Sequence, residues 1–263
     1  MKKRNILITG AGTGLGKGAA FELARRGHNV IAGVQFDAQA TDLIKEADEA
    51  GLKIRAEKLD ILNEDDRAKA AEWNIDVLIN NAGVGETGPI AEQPIETIRK
   101  VFDTNIFGAL ALTQGIVKKM IANKKGKIIF MSSIAGLMTF PYAAAYCASK
   151  HALECIAEAM HMELSPLGIK ICTINPGLYN TGFNDRMGES KWKWFKQGEN
   201  FTDESAIRGS DSAILSTQYD PAEIDIKLAD MAENDDILFR NVMPQPMEDV
   251  IKGFQKQYWE ILS

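Results

Sequence analysis

Along the chain, short runs of Ile, Val and Leu alternate with longer stretches in which apolar residues return every third or fourth position. A short apolar run bounded by turn residues reads as a strand, and a three-to-four repeat marks one face of a helix. On that reading strands lie at 5–9, 29–34, 54–59, 77–80, 127–132, 170–175 and 237–242. Helices lie at 15–26, 38–50, 64–73, 95–122, 145–164, 222–234 and 246–262. Most of the strand runs are continuous rather than alternating, as in sheets covered by helices on both faces. The alternation therefore predicts an α/β fold, a doubly wound parallel sheet of about seven strands in one domain, 1–263. Asp220-Pro221 marks the start of the helix at 222, Asp as cap and Pro in the first turn. Between 182 and 219 the rhythm stops, and Trp192, Trp194, Phe195 and Phe201 stand among Lys, Gly, Ser and Asp. A long irregular stretch in a compact domain is usually functional, so a lid with short helices is expected there.

Composition narrows the partners. The 263 residues are 45% hydrophobic and 25% charged, with 22 Gly and 8 Pro, which excludes disordered and collagen-like chains. Thirty basic against 36 acidic residues give a net charge of −6, so no global positive field attracts a nucleic acid. The local cluster Lys118, Lys119, Lys124, Lys125 and Lys127 reads as solvated surface. The apolar run at 5–9 behind the basic start is too short for a signal-peptide core, and no stretch approaches the roughly 20 apolar residues of a membrane span. Cys147, Cys155 and Cys172 are odd in number and show no CxxC spacing, which suits a reducing cytoplasm. His28, His151 and His161 have no metal-ligand spacing, and no metal is expected.

The first strand runs directly into Gly10-Ala11-Gly12-Thr13-Gly14-Leu15-Gly16 and then into a helix. Glycines let the backbone turn tightly and approach a pyrophosphate, and the helix N-terminus offers free N–H groups to it. The spacing is TGxxxGxG and not GxGxxG, and a turn of this kind can also be a plain strand-to-helix corner. The strand at 77–80 ends in Asn80-Asn81-Ala82-Gly83, on the edge where open α/β sheets bind ligands. Further on stand Ser133, Tyr146 and Lys150, the last two as YxxxK. Four residues make about one helical turn, so phenol and ammonium project from one face.

Taken in order, TGAGTGLG, Asp60, NNAG, Asn105, Ser133 placed 13 residues before Tyr146, YCASK, and Pro176-Gly177 with Thr181 resemble the short-chain dehydrogenase/reductase family in its form of about 250 residues. The resemblance covers nearly the whole chain to about Thr181. It implies a Rossmann-type fold and an NAD(P)-dependent oxidoreductase that interconverts a ketone or aldehyde with an alcohol. Tyr146 is then the general acid in reduction and the base in oxidation, and Ser133 holds the substrate oxygen. Asn105 kinks its helix and holds a water of a proton relay through Lys150, which also binds the ribose. An isolated phenol titrates near 10, and Lys150, together with an oxidised nicotinamide ring, is expected to bring Tyr146 down. The cofactor's pyrophosphate falls to Gly10, Thr13, Gly14, Leu15 and Gly16, its adenine to Asp60 and Ile61, and the adjoining ribose to Asn81, Ala82 and Gly83. Pro176, Gly177 and Thr181 hold the nicotinamide end. At the end of the second strand an acid favours NAD and a basic residue NADP. Val34 and Gln35 stand there, neither acid nor base, and the missing acid tilts the expectation toward NADP, with NAD as the alternative.

The substrate pocket is expected after Gly83 at Val84 and after Ser133 at Met138, Phe140 and Tyr142. After Gly177 it continues with Leu178, Tyr179 and Phe183, with Trp192 from the lid. Apolar and aromatic walls suit a small apolar carbonyl compound or alcohol. The resemblance implies a homodimer or homotetramer. The final strand lacks the glycine pair of many members, and Phe254, Tyr258, Trp259 and Leu262 follow it, which tells against the usual tetramer contact. Two other readings compete: a non-catalytic dinucleotide-binding sensor or scaffold, and a lyase or epimerase that uses the cofactor internally.

Overall fold

The computed structural model describes residues 2–215 and 218–259. Seven strands form one all-parallel sheet in the order β3-β2-β1-β4-β5-β6-β7. They are β1 (Asn5–Thr9), β2 (Asn29–Val34), β3 (Ile54–Lys58), β4 (Val77–Asn80), β5 (Gly126–Met131), β6 (Ile169–Pro176) and β7 (Arg240–Met243). The helices are α1 (Gly14–Arg25), α2 (Asp37–Glu49), α3 (Glu64–Ala71), α4 (Ile95–Phe102), α5 (Ala109–Ala122), α6 (Ala144–Leu164), α7 (Phe183–Ser190), α8 (Glu204–Leu215), α9 (Ala222–Glu233) and α10 (Met247–Tyr258).

Side chains alternate across a strand, and the two faces of the sheet found separate cores. Ile6 and Ile8 of β1 pack with Leu23 of α1, Leu43 of α2 and Leu228 of α9. Leu7, between them, packs on the other side with Leu112 of α5 and Leu153 of α6. This two-sided burial explains the unbroken apolar runs. The order reverses at β1, which lies between β2 and β4, and the crevice at such a point is where doubly wound sheets take ligands.

Three differences from the sequence reading have physical causes. The helix expected at 95–122 is interrupted by a π turn at Asp103–Gly108, where Asn105 sits. The last strand begins at Arg240 rather than 237, because the ladder to β6 opens only with the Thr173 N–H on the Phe239 carbonyl. Lys127 is not surface. It is 2% exposed, and its ammonium donates to the carbonyls of Met231 at 2.7 Å and Asn234 at 2.5 Å, at the C-terminal end of α9. A cation is favoured at that end of a helix. Asp220 accepts the Ala222 N–H at 2.9 Å where α9 begins. The irregular stretch 182–219 holds α7 and α8; positions 216–217, like Leu262, lie outside the described residues.

Where α1 meets α9, Gly18 lies against the Asp225 carboxyl, and a Cβ at 18 would fall 2.2 Å from its oxygen. Asp225 Oδ1 has no hydrogen-bond partner among the described residues, and burial pushes this carboxyl up to about 7. Unfolded, it ionises near 3.8. The folded protein thus holds a proton that the unfolded chain releases between those values. Stability is greatest below that window and is lost as pH rises through 7. Asp225→Asn is expected to raise the thermal midpoint at pH 8 by roughly 2 °C and to do nothing at pH 3.5. Differential scanning calorimetry at both pH values checks this.

Candidate active site

Residues that follow the carboxyl ends of β1 to β6 enclose a cleft of about 810 Å³. On one side runs the glycine turn. Gly10 and Gly14 have φ of +64° and +56°, a region open to glycine at little cost. Thr13 precedes α1 without a side-chain cap, so the first N–H groups of that helix face the cleft uncapped. Asn81 fastens the turn to β4: its amide donates to the carbonyls of Thr9 at 2.8 Å and Gly10 at 3.1 Å. The Thr9 hydroxyl in turn accepts the N–H groups of Asn81 and Ala82, each at 3.0 Å.

On the other side stand Ser133, Tyr146 and Lys150. Tyr146 and Lys150 project from α6, and the ammonium lies 5.7 Å from the centre of the phenol ring. That ammonium is buried and donates to the Met131 carbonyl at 2.7 Å; burial pushes its pKa down to about 8. Burial pushes the Tyr146 phenol up from 10, and a hydrogen bond with Ser133 only partly opposes it. In the protein without cofactor, desolvation is the dominant influence on this phenol, opposite in direction to the lowering expected of Lys150 with an oxidised nicotinamide bound. The Phe183 ring stands 5.8 Å from that of Tyr146 and helps to keep water from it.

The π turn gives Asn105 its place. Its Oδ1 accepts the Val84 N–H at 2.8 Å, and its amide donates to the Val84 carbonyl at 2.9 Å and the Ser149 hydroxyl at 3.0 Å. Both amide hydrogens are spent, so Asn105 can enter a proton relay only as an acceptor.

The short chain dehydrogenase profile matches residues 4–192. A 3-ketodihydrosphingosine reductase of Bacteroides thetaiotaomicron is 36% identical over 197 residues, 73% of this chain and 70% of that one. The chain belongs to the short-chain dehydrogenase/reductase family. Two solved members share the fold. One from Burkholderia phymatum, in complex with NAD, has a TM-score of 0.83 at 20% identity and covers 100% of this chain and 98% of its own. Another from Sphingobium yanoikuyae, in complex with NADPH, has a TM-score of 0.75 at 22% identity and covers 99% and 96%. As a short-chain dehydrogenase/reductase, the protein is an NAD(P)-dependent oxidoreductase acting on CH–OH groups.

Most residues singled out in the sequence line the cleft, among them Gly10, Thr13, Gly14, Leu15, Gln35, Asp60, Ile61, Ala82, Gly83, Val84, Pro176, Gly177, Leu178, Thr181 and Phe183. Asp60 also caps its own turn, accepting the Leu62 N–H at 3.0 Å. Others are placed differently. Gly16 packs against Asn81 beneath the turn and does not line the cleft. Val34 is 0% exposed and belongs to the core under the turn, so the cleft wall passes to Gln35. Met138 packs beside Val242 and Ile251, and the Tyr142 carbonyl accepts the Gly88 N–H outside the cleft. Trp192 meets Phe195 edge to face and lies under Arg208, away from the cavity. Tyr179 touches the wall, but its hydroxyl donates to Glu223 of α9. Sequence reasoning missed Gln39, Thr104, Arg186, Met187 and Met247 on the wall. The last three come from α7 and the start of α10, where no motif points. Among the described residues no helix is long and apolar enough to cross a membrane.

Proposed function

We propose that the protein is a carbonyl reductase that takes a ketone on a small apolar body, with Tyr146 as proton donor. The observation that carries this reading is the convergence of Ser133, Tyr146 and Lys150 on one cleft wall, opposite the uncapped start of α1. A phenol held above its usual value is fully protonated at neutral pH, which suits donation to the oxygen of a carbonyl being reduced. The Ser133 hydroxyl binds that same oxygen and stabilises its developing charge. The Lys150 ammonium places a positive charge behind the phenol as the proton leaves. Asn105 holds Val84 and, through Ser149, the base of the Tyr146 helix turn. When bound, NAD(P)H supplies the hydride. Its anionic part fits the α1 N-terminus and the glycine turn, and Arg186, whose Nη1 lies beside Gly182, adds a cation from the lid side. Phe140, Leu178, Phe183, Met187 and Met247 offer the apolar wall. The Bacteroides relative is named as a reductase of a keto compound, which supports the reductive direction. In this reading the protein is one domain, 182–219 is the substrate lid, and Ile95 and Phe107, exposed on the Asn105 helix, belong to a homodimer surface.

Gln35 and the lack of a carboxylate at the end of β2 favour NADP. Because Val34 is core, the substitution that tests this is Gln35→Asp, which sets a carboxylate on the wall. It is expected to weaken NADPH relative to NADH by about tenfold, read by fluorescence titration of each; an unchanged ratio removes Gln35 from the selectivity corner. The function itself is tested by screening ketones and secondary alcohols with the tighter cofactor. Tight binding with no turnover of any carbonyl compound would return the protein to the sensor reading.

A further inference from the structure

One turn beyond Lys150 on α6, a carboxylate lies buried behind the site. Glu154 is 5% exposed, and taking a carboxylate out of water is costly unless donors engage it. Its Oε1 accepts the Asn175 amide at 2.6 Å, and its Oε2 accepts Arg240 Nε at 3.1 Å, with the Thr173 hydroxyl 3.4 Å away. Asn175, fully buried on β6, gives its second amide hydrogen to the Ser133 carbonyl at 3.2 Å. One carboxylate thus joins α6, β6, β7 and the residue that would hold the substrate oxygen.

A glutamine at 154 would fill the same space and keep the Arg240 and Thr173 bonds only by turning its own amide donor onto that of Asn175, so only a carboxylate accepts on both sides. Residues 146, 150 and 154 share one stripe of α6. Burial drives the Lys150 ammonium toward its neutral form, and Glu154 is the charge that opposes it. Around this pair, α6 contributes Tyr146, β7 contributes Arg240, β6 contributes the neutral Thr173 and Asn175, and the π turn contributes Asn105.

We propose that Glu154 is a positioning residue of this site: through Asn175 it fixes the Ser133 carbonyl, and as a buried counter-charge it keeps the Lys150 ammonium protonated at neutral pH. This rests on Tyr146 and Lys150 being the proton-handling pair. Glu154→Gln removes the charge, keeps the bulk and gives up the bond from Asn175, so kcat falls as well as the limb moving. Loss of a nearby anion lets both the phenol and the ammonium release protons more readily. The alkaline limb of kcat in ketone reduction, which belongs to that pair, is therefore expected to move down by about one pH unit. Glu154→Asp keeps the charge but withdraws it from Asn175; the limb stays and kcat falls about tenfold. Arg240→Gln, at the partly exposed edge strand, leaves Glu154 uncompensated and moves the limb up; it serves also where a change at 154 does not fold. Nitrogen NMR of the Lys150 Nζ in cofactor-free protein reads the same shifts without turnover. An Arg240→Gln limb and Nζ titration that stay in place, with Glu154→Gln unmoved or unfolded, overturn the proposal. A uniform loss at every pH overturns the counter-charge role. An active Tyr146→Phe overturns the reading of the site instead, and in that case the Nζ titration still moves with Glu154.

Discussion

Tyr146→Phe is expected to lower kcat for ketone reduction by about a thousandfold while leaving the affinity for NAD(P)H within a factor of two. The substitution deletes one oxygen from a ring already in apolar contact with Phe183 and the Met187 cluster, so the fold has no cause to change. What it removes is the proton. Ser133 is left to polarise the substrate oxygen, and its own hydroxyl is drawn toward the Pro176 carbonyl at 3.3 Å. The Lys150 ammonium is engaged by the Met131 carbonyl at 2.7 Å and stands 5.7 Å from the centre of the ring, so it does not take the place of the phenol oxygen. In the proposed mechanism the raised phenol of the wild type is also expected to give the two directions different pH profiles. Reduction needs the protonated form and is flat through neutral pH; alcohol oxidation needs the phenolate and climbs as pH rises. Steady-state kinetics in both directions from pH 6 to 10 measure this. Turnover by Tyr146→Phe within tenfold of wild type would show that the proton comes from elsewhere.

The inner strands were legible because they are buried on both faces and written mainly in Ile, Val and Leu, and β1, β2 and β4 fall at 5–9, 29–34 and 77–80 as read. The chemistry of YxxxK was legible for a related reason: two reactive groups one helical turn apart must share a face. What could not be read depends on contacts between distant segments. Lys127 looks like one more surface lysine until α9 brings its last carbonyls over β5. Val34 and Gln35 are neighbours in sequence, yet one is core and the other cleft wall, and only the strand's facing decides which. The π turn leaves no mark in composition; only the resemblance, which has Asn105 kink its helix, pointed to it, and its physical reason is the fit of Asn105 between Val84 and Ser149. The aromatic residues expected to form a lid misled most: Trp192 has its own partners in Phe195 and Arg208, while Met187 and Arg186, unremarkable in sequence, reach the cleft.

Gly16 shows how a residue that does not line the cleft can still decide what enters it. A Cβ built there would lie 2.3 Å from the Asn81 amide nitrogen and 2.7 Å from the Gly10 carbonyl oxygen. Neither neighbour is free to yield. The Asn81 amide is held by the carbonyls of Thr9 and Gly10, and Gly10 is confined by Ala82, whose Cα lies 2.8 Å from where a Gly10 side chain would begin. Alanine at 16 must therefore push α1 away from the end of β4, and the N–H groups at the start of α1 move with it. With the cofactor's phosphates held on those groups as proposed, Gly16→Ala is expected to weaken NADPH binding by about a hundredfold, some 2.7 kcal/mol. Gly253→Ala on α10, where a Cβ meets nothing within 4 Å, is the matched control and is expected to bind as the wild type does. Fluorescence titration of both, each checked for a single cooperative melt, separates a displaced turn from a lost fold. A folded Gly16→Ala that binds NADPH within threefold of wild type would mean that the tie between Asn81 and Gly10 does not shape the cofactor site.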